Sequence, residues 1–540
     1  MAEQQLPPLA PKPSRGAAFA PLRQPTFRML WLVWVTASVC LWMNEVASAW
    51  MMTSLTSSPV MVALVQTMST LPVFFLGLPS GALADIIDRR RYLMFTQFWV
   101  AGVAALLCVL TLTGTLSAPL LLLLTFANGV GLAMRWPVYS ALVPELVPRH
   151  ELAAALALNG VGMNISRVVG PVIAGALIAS MGSAYVFVLN AVLSIAMATL
   201  LLRWKRAQKP SALPSERMLG AIRVGMQYVA QSPHFRTLML RVTMFFLQSI
   251  ALIALLPLVA RGLDDGGPGT FTMLLASMGA GAIVTAVYLP RMRDRMTRDE
   301  LVRNGSLLHA AATLAMAFAP NVYVAVPAML AAGGAWISTA NSMTVAAQMA
   351  LPDWVRARAM SIFQMAMMAG TAIGAAIWGQ VASLTSVRTS LVLAACAAVV
   401  SLWLLRNIKV GGRADEDLTP ARLWRTPELA IPVEPGQGPV LVTVEFRTDP
   451  KRREEFIAVM RESRRVWLSN GLLAWELFHD TSEPGRYIEH LTDESWAEYV
   501  RRNERVTSSY ILLREQKAAF HLSDTPPVVR RFVAEPVRRP

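Results

Sequence analysis

Apolar runs long enough to cross a bilayer recur from about Arg28 to Leu405, and this repetition limits the chain more than any other feature. Val100–Leu112 with its neighbours, Leu120–Leu132 and Leu391–Leu405 are examples. A span needs roughly 20 mostly apolar residues, and the region has room for about twelve with short loops. The runs are apolar all round, without the polar face that a soluble helix repeats every 3.6 residues. Only 15% of residues are charged and mean hydropathy is +0.45. Soluble chains carry about 25% charged residues, so most of this one belongs where charge is expensive. The spacing predicts an all-α membrane protein followed by a small soluble domain.

The net charge of +15 invites a nucleic-acid reading, but the distribution of the charge excludes it. Basic residues gather in alternate loops: Arg15, Arg23 and Arg28; Arg89, Arg90 and Arg91; Arg149; Arg203, Lys205, Arg206 and Lys209; Arg291, Arg293, Arg295 and Arg298; Arg356 and Arg358. The intervening loops at Ser54–Ser58, Gly114–Ala118, Ser180–Ser183 and Ala319–Asn321 carry no Lys or Arg. Positive charge stays on the cytoplasmic side, so both termini are expected there, in a bacterial inner membrane, with the basic loops against lipid headgroups. Cys40, Cys108 and Cys396 lie in apolar segments, without disulfide or metal-ligand spacing. No metal or cofactor is implied.

The chain repeats itself. The stretch beginning at Gly131 aligns with one beginning at Ala335, so that Pro148 meets Pro352, Gly170 meets Gly374 and Gly175 meets Gly379. Phe27-Arg28-x-Leu30 echoes Phe235-Arg236-x-Leu238. Two six-span halves in the same orientation imply parallel repeats with a binding site between them. The expected organisation is a disordered tail (1–26), an N-terminal half (27–203), a linker (204–234), a C-terminal half (235–409), a second linker (410–437) and an α+β domain (438–536). An interfacial amphipathic helix is expected near Arg217–Val229 of the first linker.

After the second span comes G-A-L-A-D-I-I-D-R-R-R, Gly81 to Arg91. It resembles the signature loop of the major facilitator superfamily, G-x-L-A-D-x-x-G-R-R/K, with Asp88 where that pattern often has glycine. The resemblance implies a twelve-helix fold and a cytoplasmic latch on Gly81, Asp85, Arg89 and Arg90, with Glu145 an acceptor for Arg89. The second-half counterpart, L-P-R-M-R-D-R-M, is degenerate. In the fifth span, N-I-S-R-V-V-G-P-V-I-A-G (Asn164 to Gly175) looks like the Gly-Pro motif of the family's proton-driven exporters, on Gly170, Pro171 and Gly175. Together with W-M-N-E in the first span and P-E-L-V-P-R after the fourth, it resembles the exporter branch that includes the enterobactin exporter. Alternating access, a small amphipathic substrate such as a drug or siderophore, and proton coupling are what that resemblance implies.

Ionisable groups inside spans are functional candidates by default. Glu45 is the proton-coupling candidate, and two readings stand: a desolvated carboxylate lining the cavity, or a hydrated one near the outer end. Arg135 and Arg167 can bind an anionic substrate, pair with Glu45 or tie helices together. Trp42, Asn44, Asn128, Asn164, Asn341 and Gln364 complete the cavity candidates, although amides in spans also serve as bridges between helices. His309 reads as structural.

From Val440 onward strands and helices alternate as β-α-β-β-α-β, which is ferredoxin-like. The segment resembles the antibiotic-biosynthesis-monooxygenase type of α+β barrel, which implies a homodimer through its sheet. Trp475, His490 and Trp496 share no motif, so the segment reads as regulatory or oligomerising rather than enzymatic. A bifunctional transporter with a modifying tail, and an importer or lipid translocator, are the competing readings. No nucleotide-binding G-x-x-x-x-G-K-[ST] loop is present, which disfavours an ATP-driven pump.

Overall fold

The computed structural model describes residues 17–148, 151–204, 218–263, 266–407, 410, 430–506, 509–523 and 525–535. The chain divides into two compact units. The first comprises Met1–Pro210, Arg241–Ser342 and Met365–Asn407; the second comprises Ser211–Leu240, Met343–Gln364 and Ile408–Pro540.

The apolar runs fold into helices α1 (Pro25–Leu55), α2 (Pro59–Ile86), α3 (Arg89–Leu112), α4 (Ala118–Leu146), α5 (Leu152–Ser180) and α6 (Ser183–Arg203). After a shorter α7 (Met218–Gln231) come α8 (Pro233–Gly262), α9 (Pro268–Arg295), α10 (Arg298–Ala317), α11 (Val322–Met349), α12 (Asp353–Leu384) and α13 (Val387–Leu404). Eleven of them are long and apolar enough to cross a membrane. At 20 residues α10 is long enough as well, but its first turns carry Arg298, Asp299, Glu300 and Arg303. It starts at a capping box, in which Thr297 Oγ1 accepts from the Glu300 amide and the Glu300 carboxylate accepts from the Thr297 amide.

Large apolar side chains such as Leu123, Val192, Val287 and Trp403 stay exposed on outer faces, as lipid-facing surface should. Inside the first unit, α2 packs on α4, α3 on α6 and α1 on α5, while α10 packs on α13 as α3 does on α6. The paired glycines show the same correspondence. A Cβ at Gly170 would meet Trp42 Cβ on α1 at 2.5 Å, and one at Gly374 would meet Ile250 Cγ2 on α8 at 2.7 Å. Gly175 lies against Thr272 on α9, and Gly379 against Ala63 and Val60 on α2. Each of these two helices therefore touches the first helix of its own half and one helix of the other half, by way of bare backbone.

The chain before α1 departs from the sequence reading. Ala17–Arg23 forms a 3-10 helix on α1 and α5, where a disordered tail to residue 26 is expected. Pro21 is buried and Leu22 joins the core of Phe27, Leu30 and Leu158, so apolar contact overrides the proline-rich composition. The basic linker at 205–217 lies outside the described residues.

In the second unit, β1 (Val440–Arg447), β2 (Ala474–His479), β3 (Arg486–Asp493) and β4 (Val528–Val533) form an antiparallel sheet in the order β2-β3-β1-β4. Helix α14 (Arg453–Ser469) follows β1, and α15 (Trp496–Arg505) and α16 (Ser509–Ala518) follow β3. Two helices thus take the place of the single one expected between the third and fourth strands; Val506 is extended and begins the helix-poor run V-T-S-S. Tyr487, Glu489, Leu491 and Asp493 alternate inward along β3, onto a core that includes Phe456, Trp467 and Tyr510.

Candidate functional site

Glu45 lies ten residues before the end of the 31-residue α1, about 15 Å along its axis. It is half-buried, with Gln66 of α2 nearby, and sits in the field of Arg167 on α5. The Arg167 guanidinium lies 5.1 Å from the centre of the Trp42 ring. Trp42 and Glu45 are three residues apart, hence on one face of α1, and Gly170 lets α5 approach that face. A carboxylate, a guanidinium, an amide and an indole from three helices therefore converge inside the N-terminal half. The arrangement can exchange a proton at Glu45 and alter the charge that Arg167 faces.

A second polar group lies deeper. Arg135 on α4 is 7% exposed, 5.6 Å from the Trp34 ring, which itself stacks on Tyr139 at 4.2 Å. Arg135, Asn128, Cys40, Asn190 and Ser194 line a cavity of about 10 Å³, room for one water. Asn190 Nδ2 donates to Asn44 Oδ1 at 3.5 Å, and Ser194 Oγ donates to Asn190 Oδ1 at 3.3 Å. Among the described residues no carboxylate pairs with Arg135. A buried guanidinium cannot shed its proton and needs polar neighbours, here the cavity and the indole face.

The remaining candidates stand apart from these clusters. Asn164 is exposed, and its Nδ2 donates to Gly160 O of its own helix at 3.0 Å. Asn341 accepts from Arg293 Nη2 at 2.6 Å, a tie between α11 and α9. Gln364 is half-buried on α12, in the second unit. His309 is buried in an aromatic setting, with the centres of Phe245 and Trp336 at 5.9 and 6.0 Å.

Of the loop motif, Gly81 and Asp85 fall in the last turns of α2, and their side chains, like those of Glu145 and Trp136, lie outside the described residues. Asp88 is the N-cap of α3, where its Oδ1 accepts from the Arg91 amide at 3.0 Å. That explains an aspartate in a position the family pattern often gives to glycine. Arg90 donates to Leu201 O at 3.1 Å and to Leu202 O, closing the C-terminal end of α6. Sequence reasoning missed Gln66, Asn190 and Ser194; a lone polar residue within an apolar run was the available signal.

In the tail, Trp475 Nε1 donates to Glu489 Oε1 at 2.8 Å, and Lys517 Nζ donates to Glu489 Oε2 at 2.7 Å. Ser463 completes this enclosed network, donating to Glu489 Oε1 at 2.9 Å. His490, next along β3, faces the opposite side of the sheet, so Trp475 and His490 do not meet.

Residues 16–539 match the family of transmembrane secretion effectors. The chain belongs to that family. Transmembrane secretion effectors are major facilitator transporters, and this one is a multi-pass membrane protein of that class. It is 23% identical over 331 residues to the staphyloferrin A transporter of Staphylococcus aureus, covering 60% of this chain and 81% of that one. It is 21% identical over 253 residues to macrolide efflux protein A of Streptococcus pyogenes, covering 45% of this chain and 61% of that protein. Among solved structures, a mutant of the nucleoside transporter NupG superposes with a TM-score of 0.60 at 12% identity, over 70% of this chain and 99% of that one. A bacterial homolog of the human lysosomal transporter Spinster, inward-facing and occupied, gives 0.59 at 15% identity, over 73% and 98%. These likenesses establish the fold of this secretion effector.

Proposed function

We propose that the protein is a proton-coupled exporter of small amphipathic molecules, of the drug or siderophore kind, working by alternating access in a bacterial inner membrane. The observation that carries this reading is Arg167 over the Trp42 ring, one turn from Glu45 and within its field, in a chain whose relatives include a macrolide efflux protein. While Glu45 is charged, it neutralises Arg167. Protonation of Glu45 releases the guanidinium, still held by the Trp42 ring, to take a polar or anionic group of the cargo. Loss of the proton restores the pair and displaces the cargo. One carboxylate thus serves proton and substrate in turn.

Asp85 and Arg89 act in this reading as the cytoplasmic latch, and both termini face the cytoplasm, in keeping with the alternating basic loops. The tail is a ferredoxin-like module that pairs two copies through its sheet. Its strand order and antiparallel ladders support that description. Phe532 and Phe478 lie exposed on the sheet, as surface for the partner. The Glu489 network is closed upon itself, which favours a structural module over an enzyme.

The test is direction and energy source. A strain lacking the protein and one overproducing it are loaded with a panel of amphipathic compounds, and retention is followed with and without an uncoupler. Export in the overproducer that the uncoupler abolishes supports the reading. Uptake in place of export contradicts it.

A further inference from the structure

Helix α7 presents three sides to its surroundings. Gly220, Arg223, Val224 and Gln227 fall on one side, towards the α+β domain. Arg223 Nη2 binds Glu494 Oε2 at 2.8 Å, Gln227 Nε2 donates to Leu472 O at 3.4 Å, and Val224 abuts Gly471, whose φ of +99° suits a residue without Cβ. The second side touches α12: Gly225 lies against Arg358, and the Tyr228 ring meets the Trp354 ring edge-on at 5.9 Å. The third side carries Met226, Val229 and Ala230. Together with Arg236 and Met239 of α8 and Ile362 of α12, it lines an open groove of about 330 Å³.

Five of the six lining residues are apolar, two of them methionines, whose unbranched chains adapt to a flexible guest. The sixth, Arg236, is exposed, and no carboxylate pairs with it among the described residues. The groove sits where an amphipathic helix leads into α8, the level at which a bilayer interface meets a spanning segment. An apolar slot with one uncompensated cation fits an amphiphile with one negative charge. The Phe-Arg-x-Leu repeat sharpens the point. Phe235 and Leu238 are buried like Phe27 and Leu30, while Arg236 and Arg28 both face outward. Only Arg236 has an α7 beside it.

We propose that this groove binds one anionic phospholipid, its acyl chain along Met226, Val229 and Ile362 and its phosphate on Arg236. The lipid then packs against the same helix that holds the α+β domain, so the bilayer's anionic content bears on the docking of the tail. The full chain, purified and delipidated in detergent, is titrated with phosphatidylglycerol and with phosphatidylcholine of identical acyl chains, and bound lipid is counted by native mass spectrometry. One phosphatidylglycerol is expected, preferred by about fivefold, as one basic contact of roughly 1 kcal/mol provides. Ala230→Trp fills the groove and is expected to remove the bound lipid. Arg236→Gln, a change at an exposed side chain that leaves the fold intact, is expected to remove the preference, and Arg28→Gln to leave it unchanged. Equal retention of both lipids by the unaltered chain overturns the proposal, as does a preference that survives Arg236→Gln. Equal binding of a free fatty acid overturns the assignment of the headgroup.

Discussion

Arg167 on α5 lies over the ring of Trp42 on α1, its guanidinium carbon 5.1 Å from the ring centre. Glycine makes this possible. One turn further along α5, the bare Cα of Gly170 presses on α1, where a Cβ would fall 2.5 Å from Trp42 Cβ and 3.0 Å from Val39 O. Gly170→Ala must push the helices apart, at a cost of about 1–3 kcal/mol. Gly160 on the same helix has open space around its Cα, and Gly160→Ala should be neutral or slightly stabilising, by about 0.5–1 kcal/mol. Thermal unfolding in detergent separates the two, and equal midpoints would show that the α1–α5 contact is looser than described.

The tail rests on a buried ion pair. Arg502, 2% exposed, donates from Nε and Nη2 to the two Asp493 oxygens at 2.7 and 2.8 Å, with the Trp467 ring at 4.5 Å. Asp493→Asn leaves the guanidinium buried and poorly matched, and removing one partner of such a pair costs about 3–5 kcal/mol. Limited proteolysis of the full chain should then cut within 440–533 much faster. Replacing both partners by leucine should recover most of the loss, because the cost lies in the orphaned charge.

A pH dependence follows from the turn between β2 and β3. The Ser482 hydroxyl and amide donate to Asp480 Oδ1, and Arg486 lies 3.0 Å from Oδ2; the serine's hydrogen bonds above all lower the carboxyl from its ordinary 3.8 to about 2. Arg486 likewise holds Glu445 below its ordinary range, by a hydrogen bond at 3.0 Å and by its charge. Both carboxyls have a lower pKa folded than unfolded. Their contribution to stability is complete above about pH 5, beyond both ordinary values, and is lost as pH falls through about 2. Melting of the tail should drop across that interval, and Asp480→Asn should flatten the slope. A slope unaltered by that change would place the acid sensitivity elsewhere.

The proposed cytoplasmic latch makes a separate prediction. Asp85→Asn should reduce transport while leaving insertion and detergent stability unchanged, since it removes a charge at the end of α2 without changing side-chain size. Wild-type transport by a correctly inserted variant would remove Asp85 from the mechanism.

Much of this fold was legible in the sequence because the membrane makes its demands locally. Apolar length gives spans, charge asymmetry gives loops, and small residues give crossings; Gly175 against Thr272 and Gly379 against Ala63 occupy the equivalent places that the repeat implies. The site was legible only in part. Glu45, Trp42 and Arg167 stood out because a charge or indole in an apolar run is costly, whereas Gln66 and Asn190 were indistinguishable from bridging amides. Asn164 and Asn341 looked equivalent to Asn44, yet they bond to their own helix and to Arg293. Which way a polar side chain points depends on helix rotation, and a helix that is apolar all round carries little record of its rotation. The early end of the N-terminal tail escaped notice for a related reason: Pro21 and Leu22 acquire meaning only once the α1–α5 surface exists to receive them.

The central claim is that Glu45 carries the coupled proton. Inverted membrane vesicles containing the full-length protein, loaded with a pH-sensitive dye and energised, should show a proton leak when an exported compound is added. Glu45→Gln keeps the size of the side chain but cannot exchange a proton at physiological pH. Loss of the compound-dependent leak, with the protein inserted and still binding the compound, is the predicted result. An undiminished leak in Glu45→Gln would contradict the account.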